Sequence, residues 1–106
     1  CVDMGCVGDG LTCTEHTVSI CPKDYHCPYS KEVVDGLVAA AERAGVRYAL
    51  DIYPHYGSDA GAAVAAGNDV RFGLIGPGVY ASHGYERSHR DGVSNSLQLL
   101  FSYLGL

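Results

Sequence analysis

Asp3 and His83 are the side chains of this sequence with the clearest potential for chemistry. Asp3 stands between two apolar residues, and an ionised carboxylate in an apolar strand is costly to bury unless it is paired or holds a metal. His83 is followed by Glu86 and His89 in one loop-like segment. Neutral imidazole and carboxylate together suit zinc, cobalt or manganese. These residues give limited support for a metal site. A merely solvated Asp3 and a hydrogen-bonded loop histidine are the open alternatives.

Ser58 and Asp59 form a second polar pair, which follows Gly57 and precedes an alanine-rich run. The ordinary role of such a pair is to cap the N-terminus of a helix. A Ser-His-Asp arrangement using Ser58 or Ser82 is conceivable, but the chain has no GxSxG elbow. It also has no P-loop and no GxGxxG motif. The pair is therefore expected to be structural unless a wider context gives it a role.

The five cysteines lie in the first quarter of the chain and contain no CxxC pair; they are Cys1, Cys6, Cys13, Cys21 and Cys27. Structural zinc sites usually recruit cysteines in close pairs, and an odd count disfavours a disulfide framework. Free cysteine is among the most buried residue types, so small buried thiols are the main expectation. A small zinc-stabilised domain using three of these cysteines and His26 is the alternative; the three are Cys13, Cys21 and Cys27.

Composition limits the broad class of the protein. The chain has 106 residues, a hydrophobic fraction of 47% and a charged fraction of 18%, which is typical of one globular domain. A net charge of -5 without clustered Lys and Arg argues against nucleic-acid binding. No apolar run is long enough to cross a membrane. The sequence therefore suggests a cytoplasmic protein that binds neither nucleic acid nor membrane.

The hydrophobic pattern alternates strands with helices. Strands are predicted at Val2–Val7, 14–20, Arg47–Tyr53 and Val70–Ile75. Helices are predicted from an N-cap at Ser30 to a stop at Gly45, over Ala60–Ala66, and from near Asp91 to Gly105, with a glycine-rich loop over Gly76–Gly84. The last helix carries an apolar face made of Val93, Leu97, Leu100, Phe101 and Leu104. This rhythm predicts an α/β fold with a sheet rich in parallel strands, flanked by helices.

Three stretches, in this order, resemble the C-terminal part of the catalytic domain of the glutamyl/leucyl aminopeptidase family. They are Val2-Asp3-Met4 followed by Gly8-Asp9, then Gly57-Ser58-Asp59-Ala60, then Ile75-Gly76-Pro77 through Ala81-Ser82-His83 with Glu86 and Asp91 beyond. The family comprises dinuclear metallopeptidases, including tetrahedral (TET), deblocking and cellulase-M-like enzymes. No single stretch is very specific, but their ordered set is, and the resemblance covers nearly the whole chain.

The resemblance implies a zinc-peptidase-like (phosphorylase/hydrolase-like) catalytic domain that hydrolyses N-terminal residues from peptides or related small amides. Asp3 would bind one of two divalent metal ions and His83 the other, with zinc or cobalt favoured and manganese a further option. Ser58 and Asp59 would lie beside the metals or in the substrate pocket. The full-length protein would be a homo-oligomer.

The resemblance also implies that other family residues lie outside these 106. The first histidine, the bridging aspartate, the paired glutamates that include the general base, and the inserted dimerisation domain would all lie upstream. Residues 1–106 are therefore expected to be the C-terminal portion of a catalytic domain, with no catalytic base of their own and no activity alone.

Two departures from the family pattern affect the expected substrate. Ser58 stands where the family has threonine, which keeps the hydroxyl. The segment from Pro77 to His83 has one extra residue and lacks the family's arginine. These differences suggest a divergent subgroup acting on an unusual peptide or amide. The alternative to a peptidase is a stand-alone, non-catalytic binding or assembly module, in which Asp3 and His83 would lie apart.

Overall fold

The computed structural model describes residues 1–106 and contains one four-stranded sheet with three helices. The elements in chain order are β1 (Gly5–Cys6), β2 (Val18–Cys21), α1 (Lys31–Ala44), β3 (Tyr48–Leu50), α2 (Asp59–Ala65), β4 (Leu74–Val79) and α3 (Arg90–Leu104). The strand order is β1-β4-β2-β3. None of the helices has the length and apolar character needed to span a membrane.

The α/β fold class predicted from the sequence is confirmed, with one pairing that the sequence pattern did not indicate. β1 pairs with β4 and β2 with β3 in parallel, whereas β2 and β4 are antiparallel. Both β3 and β4 pair with β2. The last residue of β3, Leu50, pairs with Ile20, and the first residue of β4, Leu74, pairs with the next residue, Cys21, so β3 ends at the edge of the sheet where β4 begins. The helix between them, α2, has only 7 residues, about 10 Å at the α-helical rise, too short to carry the chain back across the sheet.

The predicted strand over Val70–Ile75 and the predicted loop over Gly76–Gly84 are wrong in their bounds, because β4 contains the Gly-Pro-Gly segment. A Cβ at Gly76 would lie 1.8 Å from the carbonyl oxygen of Asp3, and one at Gly78 would lie 2.1 Å from that of Thr14. Glycine occurs inside strands where another backbone approaches closely. Here Gly76 lets the segment carrying Asp3 pack directly on β4, and Gly78 does the same for the segment carrying Thr14.

The ends of α1 and α3 agree with the sequence prediction. Ser30 caps α1 by accepting a hydrogen bond from the Val33 amide at 3.5 Å, and Gly45 ends the helix with φ 65°. Gly105 ends α3 in the same left-handed conformation. Caps of this kind satisfy backbone groups that have no partner inside the helix. They depend on local sequence, so they can be predicted from it.

The predicted apolar face of α3 is largely exposed instead of buried. Val93, Leu97, Phe101 and Leu104 are each 47–58% exposed, while the buried residues of the helix are Gly92, Ser96 and Leu99. A Cβ at Gly92 would lie 2.5 Å from the Glu15 carbonyl, so α3 approaches the start of β2 through its smallest residue. Leu99 joins the core between α1 and the sheet, together with Leu37 of α1 and Ile20 of β2.

Candidate functional site

Asp3 and His83 line the same cavity, which has a volume of about 800 Å³. The cavity lies among the segment before β1, the loop after β1, the loop after β3 and the loop after β4. Asp9 and His55 also line it, so its polar groups include two carboxylates and two imidazoles. The arrangement differs from the one expected for a stand-alone binding module, in which Asp3 and His83 would lie apart.

Asp3 is held by its backbone and leaves most of its carboxylate free. Its amide donates to the Ile75 carbonyl at 2.9 Å, and its Oδ1 accepts from the Met4 amide at 2.9 Å. The Tyr56 hydroxyl donates to the Met4 carbonyl at 2.8 Å. Burial, reinforced by the negative charge of Asp3, raises the pKa of Tyr56, so the phenol stays protonated and remains a donor at neutral pH. These bonds fix the peptide backbone on both sides of the carboxylate.

His83 lies in a tight loop with unusual backbone geometry. Its φ is 65° and that of Ala81 is 53°, a conformation that costs a non-glycine residue about 1–3 kcal/mol. The His83 amide donates to Oε1 of Glu86 at 2.9 Å. The Ser82 hydroxyl lies 3.2 Å from the sulfur of Met4, which connects this loop to the segment of Asp3. Glu86 therefore contributes to the site by shaping the loop that presents His83.

Ser58 and Asp59 lie outside the group of residues that line the cavity. Ser58 occupies the N-cap position of α2, but its side chain makes no capping hydrogen bond. Its Oγ lies instead 2.8 Å from the Tyr29 hydroxyl, which donates to the fully buried carboxylate of Asp24. Asp59 is exposed in the first turn of α2. The residue that precedes both of them, Gly57, does line the cavity.

Asp24 and Tyr29 are important polar residues that the sequence analysis did not identify. Oδ1 of Asp24 accepts from the His26 amide at 2.8 Å, and Oδ2 accepts from the Tyr29 hydroxyl. Burial, together with the hydrogen bond to Asp24, raises the pKa of Tyr29, which keeps that donor protonated. Both residues lie in or next to the proline-containing loop after β2. No local motif distinguishes a buried aspartate there from a solvated one.

Asp51 is a second buried carboxylate whose role was not predicted. It follows β3 directly and accepts hydrogen bonds from the Cys13 amide at 2.8 Å and from the Thr12 amide at 2.9 Å. These contacts hold the loop after β1, which supplies Asp9 to the cavity. Asp51 lies within the strand predicted over Arg47–Tyr53, but β3 ends at Leu50 and the loop after β1 covers the Asp51 side chain.

The other histidines and the cysteines do not assemble as the alternatives required. His89 does not join His83; it lies with His16 and Asp91, and these three form the only group of three or more potential ligands whose ligand atoms all lie within 4.8 Å of one another. All five cysteines are free thiols; Cys13 and Cys21 are buried as expected, whereas Cys6 and Cys27 are half-buried and Cys1 is exposed. A zinc site built from His26 and three cysteines is therefore wrong.

A protein-family model for the M42 glutamyl aminopeptidases matches residues 1–99 of this chain. The chain belongs to the M42 glutamyl aminopeptidase family. The family resemblance seen in the sequence is thereby confirmed. Residues 1–99 include Asp3, Ser58, Asp59 and His83.

Two individual proteins extend this relationship. A Bacillus subtilis (strain 168) protein named "Putative aminopeptidase YhfE" is 48% identical over 103 residues, which are 97% of this chain and 30% of the relative. The crystal structure of a TET aminopeptidase from the marine sediment archaeon Thaumarchaeota archaeon SCGC AB-539-E09 matches with a TM-score of 0.78 at 15% identity. That match covers 95% of this chain and 31% of the other, and it supports the fold. This M42 chain therefore spans less than a third of either protein.

Proposed function

We propose that this M42 chain contributes part of the active site of a metal-dependent aminopeptidase. The observation that carries the proposal is that Asp3 and His83, from opposite ends of the sequence, line one cavity. A volume of about 800 Å³ lies within the range of small-ligand pockets, which is about 300–1,000 Å³. A peptide N-terminus or a related small amide is the substrate class that fits the family and the cavity.

The donor chemistry fits divalent metal ions. Carboxylate oxygen and imidazole nitrogen are both ligands of zinc, cobalt and manganese, and Asp3 and His83 offer one of each. In two-metal hydrolases, paired ions polarise the scissile carbonyl and supply a nucleophile at neutral pH. Asp3 would hold one ion and His83 the other. Zinc or cobalt is favoured, with manganese as the third option.

The chain's own residues would orient the substrate and the ligands. Asp9 places a second carboxylate at the cavity, where it attracts the positively charged amino group of a peptide N-terminus. Glu86 fixes the loop of His83 through the amide of that residue. Ser58 acts through the backbone, since its bond to Tyr29 positions the adjacent Gly57 at the cavity wall. Asp59, in contrast, has no cavity contact that supports a direct role.

These 106 residues would not act alone. Two ligands do not complete a two-metal centre, so we propose that they form the C-terminal portion of a catalytic domain, with the general base and the remaining ligands on further polypeptide. The complete enzyme would be a homo-oligomer of the cytoplasm.

A chimera tests this function. The segment of the B. subtilis relative that aligns with this chain would be replaced by residues 1–106, and both parent and chimera assayed for release of N-terminal residues. We expect activity that is lost on chelation and restored by zinc, cobalt or manganese. Asp3→Asn and His83→Ala should each lower it by about 100-fold or more, whereas Asp35→Asn, an exposed carboxylate of α1, should not. Full activity in both site variants would reject the proposal.

A further inference from the structure

His16, His89 and Asp91 form a cluster outside the cavity of Asp3 and His83. His16 comes from the turn before β2, whereas His89 and Asp91 stand at the start of α3. One possible ligand atom from each residue lies within 4.8 Å of the other two. Each of the three side chains is 40–42% exposed. The cluster is therefore preassembled from two distant segments and open to solvent.

We propose that these three residues bind a divalent transition-metal ion, with zinc as the preferred ion. His16 Nδ1 lies 3.1 Å from Oδ2 of Asp91, and His89 Nδ1 lies 3.4 Å from the same oxygen. Adjacent ligands of a tetrahedral zinc ion, bound at about 2.0–2.1 Å, lie about 3.3 Å apart. The two distances therefore match the edges of a zinc coordination tetrahedron. Two imidazoles and one carboxylate leave the fourth position to water.

The surroundings of the cluster support a single shared ion. The His16 and His89 rings pack against each other with centroids 4.4 Å apart, so both reach the same region. Asp91 supplies the negative charge that offsets part of the charge of the cation. Arg47 lies 3.7 Å from Oδ2 of Asp91, where the cation would compete with it, while Arg87 pairs with Glu15 at 3.2 Å and adds little net charge. The selectivity of the site then comes from the imidazoles, which favour zinc over magnesium or calcium.

Metal binding must replace two existing hydrogen bonds. The first joins His16 Nδ1 to Oδ2 of Asp91 at 3.1 Å. In the second, His89 Nδ1 accepts from the Asp91 amide at 3.0 Å, which caps α3. An ion at the lone pair of His89 Nδ1 would take the place of the amide proton. The NMR signal of the Asp91 amide should therefore shift when the ion binds. The ion would also join the turn before β2 to the segment that leads from His83 into α3. The ion would thus restrain the loop that carries His83 without itself lining the cavity.

The test is a titration of the full 106-residue chain with Zn²⁺ alone, under reducing conditions, followed by ¹⁵N NMR of the imidazole nitrogens and by calorimetry. We expect one equivalent to shift the ring nitrogens of His16 and His89 and the amide of Asp91. His83 reports separately on the other site, and the cysteine Cβ signals report any capture by thiols. Zinc that perturbs His83 or the thiols while His16 and His89 stay unchanged would overturn the proposal.

Variants give a second, independent readout. His16→Ala removes one ligand without disturbing the cap of α3, and it should lower zinc affinity at this site by about 100-fold or more. Asp91→Asn should act in the same direction. Asp35→Asn is the matched control, because it removes an exposed carboxylate of α1 that lies in a surface pair with Lys31. Unchanged affinity in His16→Ala would contradict the proposal even if Asp91→Asn fails to fold.

Discussion

Asp51 accepts two hydrogen bonds from Thr12, one from the backbone amide and one from the hydroxyl, each at 2.9 Å. A third comes from the Cys13 amide at 2.8 Å. A carboxylate in this setting uses both oxygens as acceptors, and hydrogen bonds to charged groups are stronger than neutral ones. Asp51 thereby holds the loop that lies between β1 and β2 against the end of β3, and this loop forms one side of the candidate cavity.

Asp51→Asn should lower the free energy of unfolding by about 2 kcal/mol, because one acceptor oxygen becomes an NH₂ group that faces a buried donor. Urea denaturation measures the change. Asp35→Asn is the control: Asp35 forms only an exposed pair with Lys31, and the loss of such a pair costs at most about 0.5 kcal/mol. Equal stabilities of the two variants would mean that Asp51 does not hold the loop.

Gly76→Ala should destabilise the protein by about 3 kcal/mol or more, since the new methyl group would lie 1.8 Å from the Asp3 carbonyl oxygen and the two backbones would have to separate. Gly8→Ala offers a matched control, because nothing lies within 4 Å of a Cβ at that position. Its stability should be unchanged or slightly raised. Thermal unfolding of both variants decides the point, and a Gly76→Ala protein as stable as Gly8→Ala would rule out the close packing of Asp3 on β4.

Stability should fall as the solution becomes alkaline. Burial raises the pKa of the Cys21 thiol from 9.0 to about 12, and it also raises that of Cys13. Above pH 9 the unfolded chain loses these protons while the folded chain retains them, so folding is disfavoured as pH rises. Cys21 alone should then lower the free energy of unfolding by about 1.4 kcal/mol per pH unit between about pH 9 and 12, and Cys13 contributes in the same direction.

Denaturant titrations between pH 7.5 and 10.5, with reductant present, measure this slope. Cys21→Ala should reduce the slope, whatever its effect on stability at neutral pH, whereas replacement of the exposed Cys1 should leave the slope unchanged. A slope that does not depend on Cys21 would show that its thiol ionises as easily in the folded protein as in the unfolded chain.

Local signals explain what could be predicted from the sequence. The ends of α1 follow from a serine and a glycine whose capping roles depend only on neighbouring residues. The buried face of α1 follows from its periodicity, with Val34, Leu37 and Ala41 in the interior. The approximate position of β3 follows from the alternation around Tyr48. Each of these features is encoded within about one turn of helix or a few residues of strand.

Long-range contacts explain what could not be predicted. The glycines of β4 resemble a loop until the backbones of Asp3 and Thr14 are placed against them. The apolar face of α3 satisfies the helical period, yet the helix packs through Gly92 and Ser96, because close approach to the sheet requires small residues. Periodicity identifies an apolar stripe, but it does not reveal which stripe the rest of the chain covers.

The same distinction between local signals and long-range contacts applies to the candidate site. Asp3 and His83 were identified from residue type and family resemblance, and the structure places both at one cavity. No local sequence pattern predicts that His16 lies 3.1 Å from Asp91, because only the packing of α3 brings these two segments together. Asp24 was missed because no local motif distinguishes a buried aspartate in a proline-containing loop from a solvated one.

Counting bound metal in the chimera with the B. subtilis relative tests the central claim most directly. The chimera should carry His16→Ala, so that no ion held by His16, His89 and Asp91 enters the count. After dialysis, elemental analysis should find two divalent ions per protomer, and about one in Asp3→Asn or His83→Ala. The Asp35→Asn control should retain two. Two ions in both site variants would contradict the assignment of Asp3 and His83 as metal ligands.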